Sequence, residues 1–257
     1  MTANASTATL SRSPAMGTYV QERLHAASIF MFTIASLGAM LIHSRREGAV
    51  PDELKDLDEG IRRTWEKFRS DVSPTDFDAF CAEVWQCRNV DALQRYLERM
   101  LFEVFTQRPE TLRSSEQMRV SDVLACGDMS EVVRRLAEKR VSALAYQGFD
   151  DLLSFMTEQL GMPIDKDSAD SVAVREGIEV RNIVVHNVCR INRHFLRKTR
   201  RSDLVEGERF PLDQTYVIAN GASARRLLNT LDATFISHFA LKFDDHAPTP
   251  ALLARDA

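Results

Sequence analysis

Residues 174–201 read VREGIEVRNIVVHNVCRINRHFLRKTRR, and the spacing of apolar side chains in this stretch decides the fold. Ile178, Val184, Val188, Ile191 and Phe195 recur at the intervals of an amphipathic helix. Arg175, Glu179, Asn182, His186, Arg190 and Arg193 follow one another every three or four positions and form a polar stripe opposite. Arg181 stands outside that stripe. Its five-residue separation from His186, about 140° around an ideal helix, roots it on the apolar side. A guanidinium there either snorkels, with a buried stem and a head in water, or is held for use at a surface. His186 is likewise either an ordinary surface histidine or a functional one.

The charge of the chain is unevenly distributed. Between Arg175 and Arg201 stand eight Arg/Lys and two Glu, whereas the 257-residue chain carries a net charge of −4. A basic stretch on an acidic body points to a confined anion-binding site or to a solvated face beside acidic neighbours, and it excludes global attraction to nucleic acid. Hydrophobic content of 44% and charged content of 27% are those of a globular protein with a substantial core. Cys81, Cys87, Cys126 and Cys189 lack CxxC pairing and fall within helical patterns, which predicts buried reduced thiols and a cytoplasmic setting. The histidines are not clustered at ligand spacing, so no metal site and no cofactor are expected.

In chain order, residues 1–17 are rich in Ala, Ser and Thr and read as a disordered tail. A helix is predicted over 18–46. Its residues 26–42, AASIFMFTIASLGAMLI, carry no charge but are diluted by Ser, Thr and Gly, and fall short of the 20 or so apolar residues of a membrane span. The reading is a central helix, apolar on nearly all sides, with no membrane association. An exposed helix is expected over 51–72, with Leu54, Leu57, Ile61, Trp65 and Phe68 at helical spacing. Ser73-Pro74 opens another helix, and a break near Arg88-Asn89 separates it from a helix over 90–105. Asp128 and Glu131 form a capping box for a helix over 130–147. Further helices are expected over 149–160, stopped by Gly161 and Pro163, and over 216–243, with Leu227, Leu228, Leu231, Phe235 and Phe239 inward. Residues 202–211 read as a charged loop and 246–257 as a tail. No Gly-rich phosphate loop, nucleophile elbow, repeat or alternating strand pattern occurs. The expectation is an all-α multi-helix bundle, one domain over 18–245.

The heptapeptide RNIVVHN places Arg181-Asn182, three apolar residues and His186-Asn187 in order. It resembles the signature of the HEPN superfamily (higher eukaryotes and prokaryotes nucleotide-binding domains), an Arg, a polar residue, a short spacer and a His on a helix. YLERMLFEVFTQRPETL (96–112) and LAEKRVSALAYQGFDDLLSFMTEQLG (136–161) resemble the preceding helices of the family's RiboL-PSP-like branch. GERFPLDQTYV (207–217) and the last helix continue in the family's order, so the likeness spans roughly residues 93–243.

The resemblance implies a HEPN-type bundle and metal-independent endonucleolytic cleavage of RNA, in a defence, toxin or RNA-processing setting. Arg181, Asn182 and His186 are then the catalytic residues, and Arg175, Arg190, Arg193, Arg197 and Lys198 bind flanking phosphates. The residue types suit that chemistry. Histidine titrates nearest neutrality, at about 6.5, and guanidinium groups bind phosphoryl oxygens in bidentate fashion. With one such histidine per chain, acid and base are expected from two chains of a homodimer. A regulator or antitoxin encoded elsewhere is a further implied partner, although Val188 stands where the family's toxin branch has a modifiable Tyr. The alternative is a catalytically inactive HEPN-like module that dimerises and binds RNA, nucleotide or protein.

Overall fold

The computed structural model describes residues 12–47, 74–112 and 118–243. The expected helix over 51–72, the C-terminal tail and residues 1–11 of the N-terminal one lie outside the described residues. The described residues form an all-α multi-helix bundle without a strand: α1 (Pro14–Glu47), α2 (Pro74–Gln107), α3 (Val120–Leu124), α4 (Met129–Ala145), α5 (Phe149–Ser154), α6 (Ala169–Asn187), α7 (Arg193–Thr199) and α8 (Gln214–Phe239). A 3-10 turn at Pro109–Leu112 follows α2, and a π-helical turn at Phe155–Gln159 continues α5. Among these residues no helix is long and apolar enough to cross a membrane.

The chain divides into two compact units. The first comprises Met1–Gln21, Asp91–Arg175 and Ser223–Ala257. Its core follows helical periodicity in two long elements, with Leu93, Leu97, Met100 and Val104 from α2 and Leu228, Leu231 and Phe235 from α8 all buried. Phe105 meets Phe155 edge to face at 6.2 Å, and Ala137 and Leu144 supply the buried side of α4. The predicted cap forms in its first half, the Glu131 amide donating to Asp128 Oδ1 at 2.9 Å, while the Glu131 carboxylate accepts from Arg134 and Arg135. Gly161, at φ +68°, reverses the chain after the π-helical turn, a backbone region that glycine enters without a Cβ clash.

The second unit comprises Glu22–Val90 and Glu176–Ala222. Ala82, Val180, Ile183, Cys189, Ile191, Phe195, Phe210, Leu212 and Val217 form one buried cluster there. Beside it lies a polar contact that sets helix spacing. The buried Gln86 amide donates to the Gly177 carbonyl at 3.0 Å and to Asn220 Oδ1 at 3.1 Å. A Cβ on Gly177 would lie 2.2 Å from that Asn220 oxygen, so only glycine allows the approach.

α1 and α2 differ from their predicted form. No break occurs near Arg88-Asn89, and α2 runs unbroken through it. Asn89 is buried and its Oδ1 accepts from Arg23 Nε at 3.3 Å, so its side-chain oxygen is engaged across the unit and does not compete with the helix backbone. The apolar run in α1 is helical, but of the four residues 29–32 only Phe30 is buried, its ring 4.6 Å from that of Trp85. Ile29, Met31 and Phe32 are exposed, Phe32 by 75%, so this part of α1 is one-sided and not central.

α1 also begins four residues earlier than its apolar pattern predicts. Ser13 caps it, its Oγ accepting from the Met16 amide at 3.1 Å, and Pro14 occupies the first position, where a missing N–H costs nothing. Asp232 of α8, 3% exposed, holds this start in place. Its Oδ2 accepts from the Ser13 amide at 3.0 Å, and its Oδ1 accepts from Ser13 Oγ and from the Tyr96 hydroxyl, the latter at 3.0 Å. Burial, followed by the Asp232 carboxylate, raises the Tyr96 hydroxyl well above its ordinary pKa, keeping it a donor. Asp232→Asn turns an acceptor into a group that must aim an NH₂ at donors. Denaturant melts should show a loss of about 3 kcal/mol with an unchanged slope.

Candidate functional site

The motif residues sit on the C-terminal half of α6, in the second unit. Val180 and Ile183 are buried in the cluster with Phe195 and Phe210, which fixes the helix by its inner face. Arg181 is half-buried at the edge of that face, as its angular position predicts. Asn182 is half-buried on the next flank, its Nδ2 donating to Glu179 Oε2 at 3.4 Å. His186 is exposed in the last turn, next to the exposed Val185.

The predicted continuation of this helix through Phe195 does not form. α6 ends at Asn187, and Val188 and Cys189 both adopt left-handed backbone, at φ 51° and 59°. Two such residues in succession, one of them β-branched, are unfavourable by about 1–2 kcal/mol each. Local bonds hold them first. The Cys189 amide reaches back to the Ile183 carbonyl at 2.9 Å, and Asn187 Nδ2 donates to the Arg190 carbonyl at 2.7 Å. The following residues pair with the predicted charged loop, Ile191 N–H to Glu208 O at 2.9 Å, Gly207 N–H to Ile191 O at 2.8 Å and Phe210 N–H to Cys189 O at 2.8 Å. A single β-bridge, Arg190 to Arg209, results. Val188 is consequently 77% exposed, whereas Ile191 and Phe195 enter the core from outside α6.

Asn192 then caps α7, its Oδ1 accepting from the Phe195 amide at 2.8 Å. The reversal returns His194 to α6. His194 Nε2 lies 3.7 Å from Glu179 Oε2, and its Nδ1 lies 3.1 Å from Arg197 Nη2. On an uninterrupted helix the two positions would be about 22 Å apart along the axis. Glu179 is itself only 9% exposed. Sequence reasoning placed Glu179 in a polar stripe and passed over His194. The legible signal was an unassigned acid and imidazole flanking the motif, but their meeting depends on a turn with no Gly or Pro to announce it.

The predicted phosphate-binding cations are distributed differently from a continuous stripe. Arg175 belongs to the first unit, paired with Asp150 and donating to the Lys166 carbonyl. Arg190 Nη1 donates to the Gly207 carbonyl at 2.9 Å, and Arg193 pairs with Glu206 at 3.0 Å while remaining 90% exposed. Arg197 is exposed and Lys198 half-buried. Arg201 bridges Glu176 and Asp203 at 2.9 and 2.7 Å. That guanidinium holds the Asp203 carboxyl down at about 2, so the arm of the bridge to Asp203 persists as pH falls through the ordinary carboxylate range and is lost only near pH 2. Tyr216 is pushed well up by burial and then by the Glu176 carboxylate.

Cys81 and Cys189 are buried free thiols, and Cys87 and Cys126 are half-exposed. Burial, then Glu83, pushes the Cys189 thiol up to about 11. Native protein at pH 7 with iodoacetamide should therefore be alkylated at Cys87 and Cys126 well before Cys189, as peptide mapping would show. Val188→Gly removes left-handed strain at a side chain that packs little. Stability should rise by about 1 kcal/mol in thermal melts, the strain relieved exceeding the added freedom of the unfolded chain. No family model, curated protein or solved structure matches this chain.

Proposed function

We propose that this protein is a metal-independent endoribonuclease of HEPN type, acting through Arg181, Asn182 and His186. The observation that carries this reading is the placement of His186 in the exposed last turn of α6, one turn beyond Asn182, with half-buried Arg181 at the edge of the packed face. A proton-transfer group is thereby presented to solvent from a helix anchored by Val180 and Ile183, the rigidity that acid–base catalysis requires. In this reading Arg181 binds the phosphoryl oxygens as negative charge grows on them. Asn182, held by Glu179, positions the scissile phosphate. Arg190, Arg193, Arg197 and Lys198 meet flanking phosphates, with Arg193 exchanging Glu206 for the strand. Arg175, engaged with Asp150, has no part in it. A setting in defence, toxin action or RNA processing rests on the resemblance alone.

A second reading is a HEPN-like dimerisation and RNA-, nucleotide- or protein-binding module without catalysis. It is favoured by exposed Val185 and Val188 beside His186, and by the acids already paired with Arg193 and Arg201.

Structured RNA incubated with the protein in excess EDTA should yield fragments ending in 2′,3′-cyclic phosphate. His186→Ala should lower the rate by about 10²-fold or more and leave the melting temperature nearly unchanged, because the side chain is exposed. Cleavage that requires a divalent ion, or survives this substitution, overturns the mechanism. Binding without cleavage favours the module.

A further inference from the structure

We propose that the groove between α4 and α5 binds a free α-amino acid with a neutral polar side chain, its carboxylate held by Arg140 and its ammonium by Asp151. The groove lies within the first unit and is independent of the nuclease reading. Its volume is about 380 Å³, within the range of small-molecule sites. The floor is apolar, with Leu144 of α4 and Phe155 of the π-helical turn 1% and 5% exposed. Arg140, one turn before Leu144, stands over the Phe155 ring, 5.0 Å from its centroid. Its Nε is buried, and among the described residues no group accepts from it. Nor does any carboxylate among them pair with this guanidinium, although two acids line the same groove. Asp151, exposed on the α5 wall, likewise meets no cation among the described residues.

The charges decide the class of ligand. Glu158, the other acid of the groove, is neutralised by Lys166 Nζ at 3.0 Å, which leaves one unpaired cation and one unpaired anion on facing helices. A guanidinium whose face lies on an aromatic ring keeps its edge for a planar acceptor, and a carboxylate offers two oxygens in the matching fork. A phosphate dianion would be repelled by Asp151, and a simple amine would leave Arg140 unmatched. A zwitterion satisfies both groups, and an α-amino acid carries both charges on one carbon. The remaining lining suits a polar side chain. Ser154 Oγ accepts from Lys166 Nζ at 3.1 Å and keeps its proton to donate, and the exposed amides of Gln147 and Gln159 both donate and accept. The wall that bears Phe155 and Gln159 is the π-helical turn, closed by the Leu160 amide on the Phe155 carbonyl at 3.2 Å. Such turns are rare and recur at functional sites.

The test titrates the full chain with L-glutamine, read by calorimetry and by the carbon-13 methyl shifts of Leu144. Saturable binding that moves the Leu144 methyls is expected. L-Glutaminamide, which lacks the carboxylate, and N-acetyl-L-glutamine, which lacks the ammonium, should each bind about tenfold more weakly or worse. Arg140→Gln should weaken L-glutamine by a similar factor and leave L-glutaminamide little changed. Asp151→Asn should weaken L-glutamine and leave N-acetyl-L-glutamine little changed. Loss of folding cannot produce this crossed pattern, because it would weaken every ligand alike. Equal affinity for L-glutamine and its two analogues overturns the proposal, as does the absence of saturation up to about 10 mM. Guanosine or inorganic phosphate that shifts the Leu144 methyls where L-glutamine does not overturns the zwitterion and assigns the groove to a nucleobase or an anion. RNA cleavage and its dependence on His186 are read in a separate assay, so the failure of either proposal leaves the other standing.

Discussion

The two left-handed residues Val188 and Cys189 are the constraint on which the second unit depends. Without them the chain from residue 174 would run on as one helix, and α7 would project away from α6. With them, Ile191 and Phe195 turn into the cluster around Val180 and Ile183, and His194 returns to Glu179. The strain is offset by bonds that exist only in the folded state. Backbone pairing with Gly207, Glu208 and Phe210 fastens the turn, and the Phe195 ring meets Phe210 edge to face at 5.5 Å. A local cost maintained by non-local contacts is characteristic of sites where geometry is used.

Buried polar contacts play a parallel part in each unit. Apolar packing tolerates small slips between helices, because dispersion is weakly directional. A buried carboxylate or amide does not, since a displaced partner leaves a desolvated donor or acceptor unmatched. Asp232 with Ser13 and Tyr96 fixes the start of α1 in the first unit, and Gln86 with Gly177 and Asn220 fixes the spacing of α6 in the second. The half of α6 that bears Arg181, Asn182 and His186 is therefore held by an apolar face and by a hydrogen bond at Gly177.

The electrostatics of the basic stretch are local in consequence. Arg193, Arg201 and Arg209 each face an acid, Glu206, Glu176 with Asp203, and Glu83. Exposed pairs of this kind add little stability and exchange readily, so they shape where a cation waits more than they bind it. Arg197, set against an imidazole rather than a carboxylate, is placed differently from the other three.

The sequence alone determined what depends on near neighbours. Helical periodicity marked Leu227, Leu228, Leu231, Phe235 and Phe239, all of which are buried, and the Asp128–Glu131 cap lay within four residues. The angular offset that put Arg181 on the edge of the apolar face was also legible, because a single helix carries it. Tertiary structure alone decided where α6 stops. Residues 184–191 contain no Gly or Pro, their apolar spacing continues in register, and the local bonds at Ile183 and Arg190 are joined by bonds from residues 207–210 that no local pattern announces. The same holds for Asn89, whose partner Arg23 stands 66 positions away. It holds above all for Glu179 and His194, whose approach a helical register denies and only the reversed chain creates. Periodicity records the face a residue turns toward its neighbours; which distant groups meet that face depends on contacts that no local pattern encodes.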